Sequence, residues 1–578
     1  MTTDRPTALS PAPLPAPRPA PAAAAPTTGP RRGFLAKAFG VTAVLSAAGS
    51  ALGLLRDLLL ARYFGANQGT DAFLVAWTVP ETAAPLLIED AMSFLMVPAF
   101  ALALVLREER PDGPDPVRQL VRATLPWLLL ALSTLSLTAA LGAPRLVDLL
   151  APGLADPGLA VTCTRITAIT VLPFGVAGYL AAGLRAHHRF TAPAGIYVAY
   201  NLGILGVLLT CHALWGVRAA AVGVAFGSLL MAGLLVGPFL RRLRAGTGRP
   251  GRAARRSRNA LVLIPLALLP VGVFTLTRQA QVFIERFLGS ALPPGTISHL
   301  NYAAKVSQLA MTAGILICTV TFPLVARALA AGDLTGARDR VEKDLGQAAA
   351  VVLLGTAFLM ACAPSVVALL FERGAFGPRD TAATAAVIRV YSFGLLAQTL
   401  IGVMIRPYFS LRPVVRRAGD PRPEDGGRRL LDWYPAAAMA LGLVVTVVVG
   451  VLATPRFGAL GLAAGNAAGI TGTAALLLHG LVLRGIPLRL RRVLGGHARL
   501  LATAAGAAAL GTPAARLAAD PLLSTALGGL TVALAFAALG TGLGAHEVRG
   551  PVRAALRVLG PVPGPSPVAD EGKPPHGC

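Results

Sequence analysis

The stretch AAAMALGLVVTVVVGVLA, Ala436–Ala453, runs for 18 residues without a charged side chain. An α-helix rises about 1.5 Å per residue, so roughly 20 such residues cross the ~30 Å hydrocarbon core of a bilayer. A second run, Leu261–Phe274, has the same character. Apolar segments of this kind recur along the chain near 34–64, 71–106, 120–143, 160–186, 192–215, 218–240, 260–288, 296–330, 347–371, 381–409, 433–454, 458–484, 499–517 and 522–544. About fourteen transmembrane helices are therefore predicted, and an all-α polytopic membrane protein. Composition agrees: 54% of the 578 residues are hydrophobic and 14% charged, against about 25% charged in soluble chains.

The net charge is +25. Its placement argues against nucleic acid as the partner. Basic residues concentrate in every second connection: Arg107, Arg110 and Arg118; Arg185 and Arg189; eight arginines in 241–259; Arg338, Arg340 and Lys343; six arginines in 410–432; Arg489, Arg491 and Arg492. Alternate connections are short and poor in Lys and Arg. Positive-inside bias then puts both termini on the cytoplasmic side of the membrane.

Residues 1–32 hold nine prolines among alanines and have no apolar signal-peptide core; they read as a disordered tail. The predicted organisation continues with a first lobe of six spans at 33–240, a basic linker at 241–259, a second lobe at 260–485, two further spans within 486–545, and a C-terminal tail at 546–578. A weak internal repeat supports the two lobes. Ala61-Arg62-Tyr63-Phe64-Gly65 resembles Glu285-Arg286-Phe287-Leu288-Gly289, and Gly69-Thr70 and Gly295-Thr296 follow. Six spans per lobe give a parallel repeat around a central cavity.

The five cysteines are scattered with no metal-ligand spacing, and neither a metal nor a cofactor is expected. No phosphate-binding G-x-x-x-x-G-K-[ST] loop, G-x-S-x-G or H-E-x-x-H occurs. A membrane glycosyltransferase usually needs a large extramembrane loop, and the longest loops here are about 20 residues.

Ionisable groups inside spans cost about 2.5–3.5 kcal/mol each on insertion scales and usually face a cavity or a partner. The first two spans carry Arg56, Asp57, Arg62, Asp71, Glu89 and Asp90, and the seventh and eighth carry Arg278, Glu285, Arg286 and Lys305. The load falls on corresponding spans of the two halves, which points to a hydrated cavity between them. Arg56–Asp57 also fits a local ion pair, and Arg62, Asp71 and Arg286 lie close enough to span ends to snorkel. Lys305 has no nearby residue of opposite charge in sequence. Cations facing a cavity suit an anionic, phosphate-bearing substrate. Pro80, Pro85, Pro98, Pro173, Pro323 and Pro364 interrupt spans as hinges or static kinks.

Leu55-Arg56-Asp57-Leu58-Leu59-Leu60-Ala61-Arg62-Tyr63-Phe64-Gly65, then Thr70-Asp71-Ala72-Phe73, resembles the opening of the MurJ (MviN) family of lipid II flippases, within the MOP flippase superfamily. Asn301-Tyr302-Ala303-Ala304-Lys305, Leu370-Phe371-Glu372-Arg373-Gly374-Ala375-Phe376 and Pro407-Tyr408-Phe409-Ser410 resemble further motifs of that family. The resemblance runs from about 34 to 485. It implies fourteen spans and alternating access. It also implies a lipid-linked anionic substrate, with membrane lipids and cell-wall synthesis proteins as partners. It places Arg56 and Asp71 in the central cavity and Lys305 where the family has an Arg on the substrate diphosphate; Arg278 completes the expected substrate-binding set, with Asp57, Arg62, Glu89, Glu285 and Arg286 in support. The sequence departs from the pattern where Ala51, and Ala84 with Pro85, stand in place of arginines, and where Arg416–Leu431 expands a loop. Other readings stay open: a flippase for another polyprenyl-linked saccharide, a drug antiporter of the same superfamily, and a non-transporting scaffold for cell-wall enzymes.

Overall fold

The computed structural model describes residues 32–109, 114–245, 258–330, 333–410, 426–483 and 486–550. The N-terminal tail, Arg110, most of the 241–259 linker, most of the Arg416–Leu431 expansion and the last 28 residues lie outside the described residues, as does the side chain of Asp90.

The first half comprises α1 (Arg32–Phe64), α2 (Gln68–Ala84), a π-helical turn at Pro85–Ala91, α3 (Met92–Glu109), α4 (Pro116–Leu141), the short α5 (Ala143–Leu150), α6 (Pro157–Ala168), α7 (Val171–Ala186), α8 (Thr191–Ala194), α9 (Ile196–Trp215) and α10 (Arg218–Arg244). The second half comprises α11 (Arg258–Ser290), α12 (Thr296–Ala330), α13 (Leu334–Phe371), α14 (Pro378–Ser410), α15 (Gly426–Phe457), α16 (Ala459–Leu483), α17 (Leu490–Arg516) and α18 (Pro521–Gly542). The fold is an all-α bundle, as expected.

Among the described residues, 12 helices are long and apolar enough to cross a membrane. They correspond to every expected span except 260–288 and 296–330. Those two fall on continuous helices of 33 and 35 residues, α11 and α12, which are not among the twelve.

Several boundaries differ from expectation. The segment 71–106 is helical throughout: Pro85 cannot donate to the ladder, and the π-helical turn that it opens joins α2 to α3. The expected basic connection 331–346 is helical from Leu334, so Arg338, Arg340 and Lys343 ride on α13. Arg491 and Arg492 likewise sit on α17. A helix can extend past the bilayer while its arginines reach water, so charge did not mark the helix end.

The buried residues form separate cores. One runs from Leu60 to Phe239 and belongs to the first lobe. Two others are built from α12 onward with Phe274 of α11. Two residues cross over: Ile297 is buried in the first-lobe core, and Ala61 in a second-lobe core. Both lie beside the short connections 65–67 and 291–295, so the lobes interlock at that end of the bundle.

Candidate functional site

The interlocked end is held by backbone and by one carboxylate. Asn67 starts α2 by accepting the amides of Gly69 and Thr70. One turn in, Asp71 is turned away from its own helix. Its Oδ2 accepts the Gly295 amide at 2.6 Å, and its Oδ1 accepts the amide and hydroxyl of Ser298 at 2.8 and 2.6 Å. These amides flank the start of α12, whose free N–H groups and dipole favour an anion. Asp71 therefore caps a second-lobe helix from the first lobe. Beside it, Ala375 donates its amide to the Arg62 carbonyl at 2.9 Å. Gly65 and Gly374 both have φ +67°, and a Cβ on Gly65 would lie 2.6 Å from the Ala375 carbonyl oxygen. Only glycine permits this conformation and this approach. The Gly153 amide also reaches Ser290 Oγ across the lobes, at 3.2 Å.

Deeper in the first lobe, Arg56 is buried and held on three sides. Its Nε and Nη2 donate to Asp57 Oδ1 at 2.9 and 2.8 Å, and Nη1 donates to Asn201 Oδ1 at 3.2 Å. The guanidinium stacks 4.4 Å from the centroid of Trp77. Asn201 is itself fixed by donating to the carbonyls of Gly49 and Tyr197. Arg56 and Asp57 thus join α1 to α9 and α2 within one lobe.

Between the lobes the charges converge on a residue that the sequence reading passed over. Glu81, on α2, accepts from Lys305 Nζ at 3.2 Å and pairs with Arg286 Nη2 at 3.7 Å. Arg286 Nη2 also donates to Asn301 Oδ1 at 3.4 Å, and Gln279 donates to the Glu81 carbonyl at 3.5 Å. Glu81 lies thirteen residues into α2 and so about 20 Å along the helix from its start. Lys305 therefore does have a partner of opposite charge, supplied by the other lobe. The signal was present in sequence, a carboxylate after Pro80 inside an apolar run, but its partners are more than 200 residues away.

The remaining candidates scatter. Arg278 is exposed, one residue from Gln279. Arg62 is exposed and contributes its carbonyl to the interlock. Glu285 accepts from Gln281 and Asn466, which ties α11 to α16 inside the second lobe. Glu89 accepts the Tyr197 hydroxyl at 2.6 Å and lines a cavity of about 310 Å³ with Ser93 and Arg185. Ala51 is exposed and Ala84 half-buried. Among the described residues, no group of His, Cys, Asp and Glu could hold a metal ion.

A further cavity of about 630 Å³ opens in the second lobe between α13, α14, α16 and α17. Leu353, Phe393, Leu400, Leu478, Leu494 and Leu501 line it.

Comparison with known proteins matches this arrangement. Residues 60–416, more than half of the chain, match the family model described as lipid II flippase MurJ. The chain is 30% identical over 391 residues to the probable lipid II flippase MurJ of Rhizobium meliloti, covering 65% of this chain and 70% of that protein. It is 28% identical over 455 residues to the lipid II flippase MurJ of Burkholderia cenocepacia, covering 75% and 81%. In fold it resembles a lipid II flippase MurJ solved in an inward closed conformation, with TM-score 0.68 at 16% identity over 87% of this chain and 99% of that one. It also resembles an inward-facing multidrug resistance MATE transporter of the MOP superfamily, with TM-score 0.60 at 14% identity over 77% and 98%. With two interlocked lobes, cations converging between them and a family match spanning most of both, the chain belongs to the lipid II flippase MurJ family.

Proposed function

We propose that this chain is a flippase that carries lipid II, an undecaprenyl-diphosphate-linked saccharide, across the cytoplasmic membrane by alternating access. It acts as a transporter and not as an enzyme. The observation that carries the reading is the convergence of Lys305 and Arg286 on Glu81 between the lobes, with Arg278 exposed on the same helix as Arg286. Cations held there at the cost of desolvation suit a diphosphate head group. The interlock of Asp71 and Ala375 closes one end of the bundle. With both termini cytoplasmic, as the basic connections indicate, the closed end is the outer one and the site opens to the cytoplasm. The substrate head then enters from the cytoplasmic side, the interlock parts, and the lobes close behind it. The apolar cavity beside α17 offers the polyprenyl chain a groove while its head crosses.

A second reading has its own observation. Ala51, and Ala84 with Pro85, stand where the family pattern has two or three arginines, and Glu81 sets an anion opposite Lys305. A head group of lower charge density, on another polyprenyl-linked saccharide, fits this balance. Purified protein in liposomes, offered lipid II and other polyprenyl-diphosphate saccharides, distinguishes the two. Preferential flipping of lipid II is the expected result. Flipping of another saccharide alone favours the second reading, and no flipping favours a scaffold.

A further inference from the structure

Two cations of one lobe share a single carboxylate of the other, and neither is satisfied by it. Lys305 Nζ has three donors and, among the described residues, makes one bond, to Glu81. Arg286 reaches Glu81 only at 3.7 Å and donates weakly to Asn301, and its buried Nε has no partner among the described residues. We propose that Glu81 is an internal counter-ion that occupies the anion site of the empty transporter, and that an arriving phosphate group must displace it before the lobes part. The inference rests on the flippase reading and adds a specificity-determining residue to it.

The geometry supports exchange over a fixed brace. A diphosphate brings more oxygens than a carboxylate, so it can meet the donors that Glu81 leaves idle. Glu81 and Lys305 keep about a quarter of their side chains exposed, 23% and 28%, so ligand and water can reach the pair. The backbone that carries Glu81 is interrupted on both sides, by Pro80 before it and by the π-helical turn from Pro85 after it. That segment can shift without unravelling a regular ladder. Arg56 stays out of the exchange because Asp57, Asn201 and Trp77 already hold it.

The test uses the full chain in nanodiscs, with Glu81→Gln as the neutral isostere and Glu81→Asp as the charge-preserving control. Two readouts are needed. Without ligand, Glu81→Gln should exchange the amide hydrogens of Gly295, Ser298 and Ala375 roughly threefold faster than wild type, because the mid-span pairing no longer supports the interlock. Inorganic pyrophosphate should produce the same acceleration in wild type and add nothing in Glu81→Gln. With lipid II, Glu81→Gln should bind about fivefold tighter, since the internal competitor is gone, and should flip more slowly because nothing replaces the substrate on release. Glu81→Asp keeps the charge on a shorter side chain and should lie between Glu81→Gln and wild type in both. Unchanged exchange in Glu81→Gln, or weaker lipid II binding, overturns the counter-ion. Wild type that ignores lipid II while its interlock still responds to pyrophosphate and to Glu81→Gln sinks the lipid II reading and upholds the counter-ion.

Discussion

Asp71 and Ser298, 227 positions apart, link the lobes directly: one carboxylate oxygen accepts both the amide and the hydroxyl of Ser298. The same carboxylate takes the Gly295 amide, so α12 begins on a residue of α2. Asp71→Ala should leave these donors without an acceptor. Each buried orphan costs about 1–3 kcal/mol, so the melting temperature should fall and an impermeant reagent should reach the interlocked end more readily. Asp71→Asn, which keeps an acceptor, should be intermediate. Loss of lipid II binding at unchanged melting temperature would instead place Asp71 on the substrate.

The glycine of Leu370-Phe371-Glu372-Arg373-Gly374 faces the backbone of Arg62 in a left-handed conformation. Gly374→Ala should strain the turn by about 1–2 kcal/mol and drive a methyl group into the Arg62 carbonyl. The lobes then cannot close at that end. Transport should drop at least tenfold, with accelerated hydrogen exchange at Ala375 as the direct measurement. Gly377, with open space around it, should tolerate alanine and serves as the control.

Arg56 is bound on three sides within its own lobe, which makes stability its first dependence. Arg56→Ala should cost about 3–5 kcal/mol by stranding Asp57 in a buried site, and abundance and melting temperature should fall together. Replacing both partners by apolar residues, as Arg56→Met with Asp57→Leu, should recover much of that loss. Arg56→Lys loses the fork onto Asp57 and Asn201 and should lie between. A fully stable Arg56→Ala that no longer binds lipid II would show a residue held for substrate alone.

Orientation is checked at half-buried Gly377 and exposed Thr335. A cysteine at Gly377 should react with an impermeant thiol reagent in intact cells, and one at Thr335, at the start of α13, should be protected. The closed end of the bundle carries Gly377, and Thr335 lies at the opposite end of the same helix pair. The reversed pattern would turn the transporter over and make the closed end cytoplasmic.

The sequence by itself determined the parts whose signal is local. Hydropathy depends on neighbouring residues, so the long helices and their order were legible, and so was the clustering of charges on α1, α2, α11 and α12. The family motifs were legible too, though not what they do: Gly374 proved to be a close approach between lobes, and Lys305 proved to be paired. What the tertiary structure alone decided is which charge meets which. Arg56 finds Asn201 145 positions away, Lys305 finds Glu81 224 positions away, and Asp71 finds the start of α12. A carboxylate inside an apolar segment announces that it has a partner, because burial without one is too costly. Which partner it has depends on how two lobes pack, and helix periodicity and spacing carry no record of that.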